Sequence, residues 1–203
     1  QTRSEAIAID RATKRVQVRD LRTGEAAWLG YDKLMLAPGA APRIPAIPGI
    51  KDSRIHALRN LADMDRIAAA TESGMRAVVV GAGFIGLEMA EQLHRKGLTV
   101  EVMQSGPQVL SQIDAKMAML LENELAHHDI KLHLNEQIVH FEGQDDVLHC
   151  HLASGDKLDA DFVVMSIGVE PDAPLAREAG LALGARGHIV VNDFMQTSDA
   201  DIY

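Results

Sequence analysis

The segment that most constrains this chain is Arg76–Gly86, RAVVVGAGFIG. Ala77–Val80 is a short β-branched run that reads as an apolar strand. The chain then turns through Gly81, Gly83 and Gly86 into Phe84–Lys96, where Ile85, Met89 and Leu93 recur at helical spacing and Gly97 supplies a C-terminal stop. Thr99–Met103 reads as a second strand. A lone G-x-G-x-x-G says little, but between a strand and a helix it is the fingerprint of a dinucleotide pyrophosphate site. Each glycine has a physical task. Gly81 permits the sharp turn, Gly83 lets a pyrophosphate approach the backbone, and Gly86 lets helix and strand pack closely. Free N–H groups and the positive end of the helix dipole then attract the phosphates.

The end of the second strand normally reads the adenosine ribose. An acid there suits the 2′-hydroxyl of NAD, and an arginine suits the 2′-phosphate of NADP. This chain has Gln104, with no Arg or Lys between Ser105 and Ala115, which argues for NADH over NADPH. Glu101 stands on the same strand but shares the Gln104 side only if a residue bulges.

The surrounding pattern is α/β. Residues 4–37 read as β structure, with strand-like runs at Ala6–Ile9 and Val16–Val18 and a buried strand expected over Tyr31–Ala37. Four of the seven prolines fall within Pro38–Gly49, an extended linker and the best domain boundary. A helix is expected through Leu61, Met64, Ile67 and Ala68, ended by Gly74. Asp114 caps another that aligns Met117, Leu120, Leu121 and Leu125, and Ile130–Leu134 reads as a third strand. Gln137–Phe141, Val147–Leu152 and Asp161–Ile167, with tight turns between, read as an antiparallel meander. Ala173–Ala179 reads as a helix closed by Gly180, and His188–Asn192 as a strand.

Composition narrows the function. Lys+Arg is 20 against 29 Asp+Glu, a net charge of −9, and residues 114–161 hold eleven of the acids and three of the bases. That argues against nucleic-acid and anionic-membrane partners, which need a basic patch. No apolar run reaches the length of a membrane span, and residues 1–10 lack the build of a signal peptide. Cys150 is the single cysteine, so no internal disulfide is expected and a cytoplasmic setting is the default. Strand alternation puts His149 and His151 opposite Cys150, so the three make a poor metal site and Cys150 reads as a buried inert thiol. His127, His128, His133 and His140 show no metal-ligand spacing, and no metal is expected.

Five segments together resemble a known family: YDKLMLAPGAAPRIPAIPG (31–49), LRNLADMDRI (58–67), VVVGAGFIGLEMAEQL (78–93), SIGVEPDAPLAREAGL (166–181) and VNDFMQTSDADIY (191–203). They are similar to the pyridine nucleotide-disulfide oxidoreductases, in the branch of coenzyme A-disulfide reductases, NADH-dependent persulfide reductases and NADH oxidases. The resemblance implies a Rossmann-type NAD-binding domain with a parallel sheet plus antiparallel meander over 51–170. It is flanked by parts of an FAD-binding domain at 1–50 and 171–203. The resemblance also implies that the first FAD glycine loop and the redox cysteine precede Gln1, and that an FAD-binding Asp and a dimerisation domain follow Tyr203.

The resemblance assigns residues too. Gly81, Gly83 and Gly86 match the NAD pyrophosphate loop, with Ile85 inside it. Phe84 sits where the family has an aromatic covering the flavin, although core packing is the alternative; Glu88 matches a Glu near the nicotinamide, although a helical Glu is ordinarily solvated. Gly168 matches a backbone position lining the nicotinamide cleft, and Pro38 and Gly39 match a turn beside FAD. Gln104, Glu170 and Asp172 depart from the family pattern. The implied activity of the intact protein is hydride transfer from NADH through FAD to a cysteine that reduces a small disulfide, persulfide or CoA-linked sulfur substrate, in a homodimer. This chain alone is expected to bind NADH without turnover or tightly held flavin. A ferredoxin- or rubredoxin-type reductase lacking a redox cysteine, and a non-catalytic NADH-binding module, are the alternatives.

Overall fold

In a computed structural model that describes residues 2–203, the first elements are three antiparallel strands, β1 (Ser4–Asp10), β2 (Arg15–Asp20) and β3 (Ala26–Gly30). Asp side chains build the turns. The Asp10 carboxylate accepts from the Ala12 and Thr13 N–H groups at 3.0 and 3.2 Å, and Asp20 does the same for Arg22 and Thr23. Tyr31–Ala37 is not a buried strand. Leu34 and Leu36 exchange backbone hydrogen bonds with 201–203, while Met35 between them is 80% exposed. An apolar run that pairs on one edge and lacks a cover on one face does not become a sheet core.

After β4 (Ala40–Pro42) and β5 (Ile55–Ala57) comes α1 (Leu61–Ala70). A capping box opens it: the Asn60 side chain accepts from the Asp63 N–H, and the Asp63 carboxylate accepts from the Asn60 N–H. The helix ends at the Thr71 cap, short of Gly74, because the Thr71 hydroxyl donates back to the Ile67 carbonyl and the backbone there is extended. Of the four residues expected on its inner face, only Ile67 is buried.

The central run follows the sequence pattern closely: β6 (Arg76–Val80), α2 (Phe84–Arg95), β7 (Thr99–Gln104), α3 (Ala115–His127) and β8 (Lys131–Leu134). Asp114 caps α3 by accepting from the Lys116 N–H. The face of α3 differs from expectation, since Met117 and Leu120 are exposed while Ala118 is buried. Of the expected face only Leu125 packs on the core, beside Ala118, and the Glu122 carboxylate accepts from the Val109 N–H at 3.1 Å.

The meander is β9 (Ile138–Gln144), β10 (Val147–Leu152) and β11 (Lys157–Ala160). Its third strand is therefore not Asp161–Ile167. That segment supplies β12 (Phe162–Met165), which enters the parallel sheet between β5 and β6 to give the order β5-β12-β6-β7-β8. Asp161 makes the switch: its carboxylate accepts from the Arg76 backbone N–H and guanidinium, and its N–H donates to the Arg76 carbonyl. β13 (Val169–Pro171) pairs with β4, and α4 (Pro174–Glu178) follows. His188–Asn192 forms only a single bridge, Ile189 to Leu183.

The chain divides into two compact units: the described residues through Ala41 with Glu170–Tyr203, and Pro42–Val169. In the second unit the sheet is buried on both faces. Val79, Val100, Val102 and Val164 pack under Met89, Ala90 and Leu93 of α2. Val78, Met103, Val163 and Met165 pack against Phe141, Leu148 and Cys150 of the meander. Two covered faces explain why β6 and β12 read as unbroken apolar runs. Among the described residues no helix is long and apolar enough to cross a membrane.

Candidate dinucleotide-binding site

Parallel strands end together, and the carboxyl ends of β6, β7 and β12 bound a cleft of about 730 Å³ whose walls all belong to the Pro42–Val169 unit. Gly81, Gly83, Phe84, Ile85, Gln104 and Gly168 line it. The three loop glycines are needed for different reasons. Gly81 has φ +105°, and a Cβ there would collide with the Ser166 carbonyl. A Cβ on Gly86 would run into the Gly81 carbonyl and approach Ser166 Oγ to 2.6 Å. A Cβ on Gly83 would meet nothing within 4 Å, so that side of the loop is open space.

Gly83 is the N-cap of α2, and no side chain caps the helix. The N–H groups of the first turn are thus left for an external acceptor, at the positive end of a twelve-residue helix. The loop itself is braced from both sides. Ser166 Oγ lies 2.9 Å from both the Val80 and Gly81 carbonyls. From β7, Gln104 Oε1 accepts the Ala82 N–H at 3.1 Å.

Glu101 does not reach the cleft. It points to the neighbouring strand, where its carboxylate meets His133 Nε2 at 2.7 Å. Phe84 is 63% exposed, so it is not a core residue. Gly86 lies behind the loop, and Glu88 is exposed on α2; neither lines the cleft. Pro38 and Gly39 belong to the other unit, where Pro38 borders a hollow with Leu34–Ala37 and Gly39 has φ +74°.

Arg43, Gln112, Glu136 and Ser166 also line the cleft and were not singled out by sequence. Arg43 is brought there by its own N–H, which donates to the Gly168 carbonyl at 2.9 Å. Glu136 follows β8, and its carboxyl is held below the ordinary range mainly by hydrogen bonds from Ser154 and the Gln137 N–H. Arg43 and Ser166 lie within the family-like segments 31–49 and 166–181 but carry no spacing signal of their own, and Gln112 and Glu136 lie in none of the five. Cys150 is fully buried, and burial pushes its thiol up to about 12, so it stays protonated at neutral pH. Among the described residues no His, Cys, Asp and Glu cluster could hold a metal ion.

A glycine loop between a parallel strand and an uncapped helix, beside a cleft at the strand ends, defines a Rossmann-type α/β protein of the dinucleotide-binding class. The chain belongs to the pyridine nucleotide-disulphide oxidoreductase family, an FAD- and NAD(P)-dependent group whose family model matches residues 1–203. Among solved structures it is similar to reduced Bacillus anthracis CoADR-RHD, a CoA-disulfide reductase, with 38% identity and a TM-score of 0.93 over 98% of this chain and 36% of that one. It is 37% identical over 174 residues to the nitrite reductase [NAD(P)H] of Bacillus subtilis, covering 85% of this chain and 21% of the relative. It is 36% identical over 173 residues to a biphenyl dioxygenase system ferredoxin–NAD(+) reductase component of Paraburkholderia xenovorans, covering 85% of this chain and 42% of the relative. The chain thus spans a fifth to under a half of the length of such relatives.

Proposed function

We propose that the Pro42–Val169 unit binds NADH or NADPH, and that the whole protein is a flavin-dependent reductase of a small disulfide, persulfide or CoA-linked sulfur compound. The observation that carries the binding step is the open face of Gly83 beneath an uncapped helix N-terminus. In this reading Gly83 and the first-turn N–H groups of α2 hold the pyrophosphate. Gln104 meets the adenosine ribose at the β7 side, and Gly168 borders the nicotinamide half at the β12 side. Exposed Phe84 stands over the reactive end, and Glu88 supports it from α2. When bound, NAD(P)H supplies the hydride and FAD carries the electrons on to the acceptor. Pro38 and Gly39 contribute to the flavin site, with 1–50 and 171–203 as parts of the FAD-binding domain, 51–170 as the dinucleotide domain, and a cytoplasmic homodimer as the working form.

The sulfur acceptor is supported by the likeness to a CoA-disulfide reductase. Cys150 cannot be the redox cysteine, because its thiol is buried and ionises only at about 12. That chemistry therefore requires a cysteine outside these residues. The ferredoxin reductase relative favours a second reading, electron transfer to a protein without any thiol.

Thermal melting with and without NAD⁺ tests the binding step. We expect saturating NAD⁺ at 100 times its Kd to add about 2.7 kcal/mol of stability. Gly83→Val should abolish that gain without lowering the melting point of the free protein. No shift with either NAD⁺ or NADP⁺ would refute the binding reading. For the acceptor, NADH oxidation by the full-length flavoprotein with CoA disulfide, and its loss after thiol alkylation, separates the sulfur reading from the ferredoxin one.

A further inference from the structure

The usual rule for this position compares an acid with an arginine and leaves glutamine undecided. The geometry of Gln104 decides it. Its amide oxygen is committed to the Ala82 N–H at 3.1 Å. The orientation is forced, since turning the amide over would set its NH₂ against another N–H donor. The NH₂ end is therefore what Gln104 shows to its surroundings. No residue among those described accepts from it, and Nε2 lies beside bare Gly106, where even a Cβ would come within 3.3 Å.

An acid here would show an acceptor, which takes the proton of a ribose 2′-hydroxyl and repels a 2′-phosphate. Gln104 shows a donor, which both a hydroxyl oxygen and a phosphate oxygen can accept. The remaining charges do not tip the balance toward phosphate. Arg43, the cation in the cleft wall, is tied by its N–H to Gly168 beyond β12, on the opposite side of β6 from Gln104. Glu136 lines the cleft directly after β8, but its carboxylate is met by the Gln137 and Ser154 N–H groups at 2.9 and 3.4 Å, donors of the chain itself. A neutral donor with no cation beside it can hold a 2′-phosphate but has nothing with which to prefer it.

We infer that Gln104 makes the site indifferent to the 2′-phosphate, so that this protein accepts NADH and NADPH alike. The inference rests on the dinucleotide reading above and revises the sequence-based choice of NADH. The same bond makes Gln104 a positioning residue for the glycine loop, because its oxygen holds Ala82 while its nitrogen reads the ribose.

Calorimetric titration of the full-length protein with NAD⁺ and NADP⁺ tests this without moving a hydride. The two Kd values are expected to agree within about tenfold. Gln104→Glu keeps an acceptor for Ala82 and replaces the donor with a negative oxygen. It should raise the ratio of the NADP⁺ Kd to the NAD⁺ Kd by at least about tenfold over the parent, whatever it does to both together. A parent ratio beyond about tenfold in either direction, or a ratio that Gln104→Glu does not move, would overturn the inference while leaving dinucleotide binding intact. Failure of both dinucleotides to bind would instead remove the dinucleotide reading and this inference with it.

Discussion

In the Pro42–Val169 unit all four residues of β12 are buried, and Val79 and Val102 are closed to solvent. In the other unit all five residues of β3 are exposed, Trp28 and Leu29 among them, and the buried set is Ala173, Ala176, Leu181 and Ile202. Both regions contain strands with apolar residues. What separates them is cover: helices and a meander close the two faces of the parallel sheet, whereas of β1–β3 only β1 packs on a helix, α4, and β3 is left exposed. Hydrogen bonding alone fixes a strand, and only a second layer makes its side chains a core.

The contrast can be broken most directly by charge. Val164→Asp places an unpaired carboxylate inside the parallel sheet and should cost about 4 kcal/mol or more, read as loss of the cooperative melt. Trp28→Asp on exposed β3 should change stability by about 1 kcal/mol or less. Comparable losses at both sites would erase the distinction between the units. Next in size is Gly86→Val, which drives a side chain into the Gly81 carbonyl and should cost about 3 kcal/mol along with the dinucleotide site, whereas Gly83→Val should leave the melt unchanged.

Cys150 gives a smaller, pH-dependent effect. Its thiol is raised from 9.0 to about 12 by burial, so above pH 9 the unfolded chain releases a proton that the folded one keeps. Stability should then fall with rising pH between those values, by about 1.4 kcal/mol per pH unit, in urea titrations. Cys150→Ala should remove that slope. Smallest is the acid side of the other unit. Lys14 and Lys33 hold the Asp201 carboxyl down to about 2, from 3.8. Its contribution is present above pH 3.8 and fades toward about 2, and Asp201→Asn should flatten the acid limb of the melting curve slightly.

What was legible in the sequence tracks the same difference in cover. RAVVV and the glycine loop declare themselves because burial on two faces, a turn at φ +105° and a close helix contact each leave few residue choices. Tyr31–Ala37 misleads because its apolar residues resemble a core strand while its partner is the distant segment 201–203. Asp161–Ile167 misleads because the chain passes from meander to parallel sheet across one residue, Asp161, with no turn signal. Within the site, Gly81, Gly83 and Gln104 were legible from spacing. Arg43 and Glu136 were not, because pairing across the fold delivers them to the cleft.

Strand β12 has a consequence for the order of events during synthesis. It lies between β5 and β6 in the sheet yet follows β6 by some eighty residues in the chain. A ribosome that has released β6, α2 and β7 has made every glycine of the loop, but not Ser166, whose hydroxyl meets the Val80 and Gly81 carbonyls. Until residue 166 emerges, the loop has its flexibility without its mould, and the edge of β6 stands unpaired. The nascent chain is then most exposed to wrong strand pairing. The braced form of the glycine loop is acquired late and at once, when one four-residue strand slides into the gap.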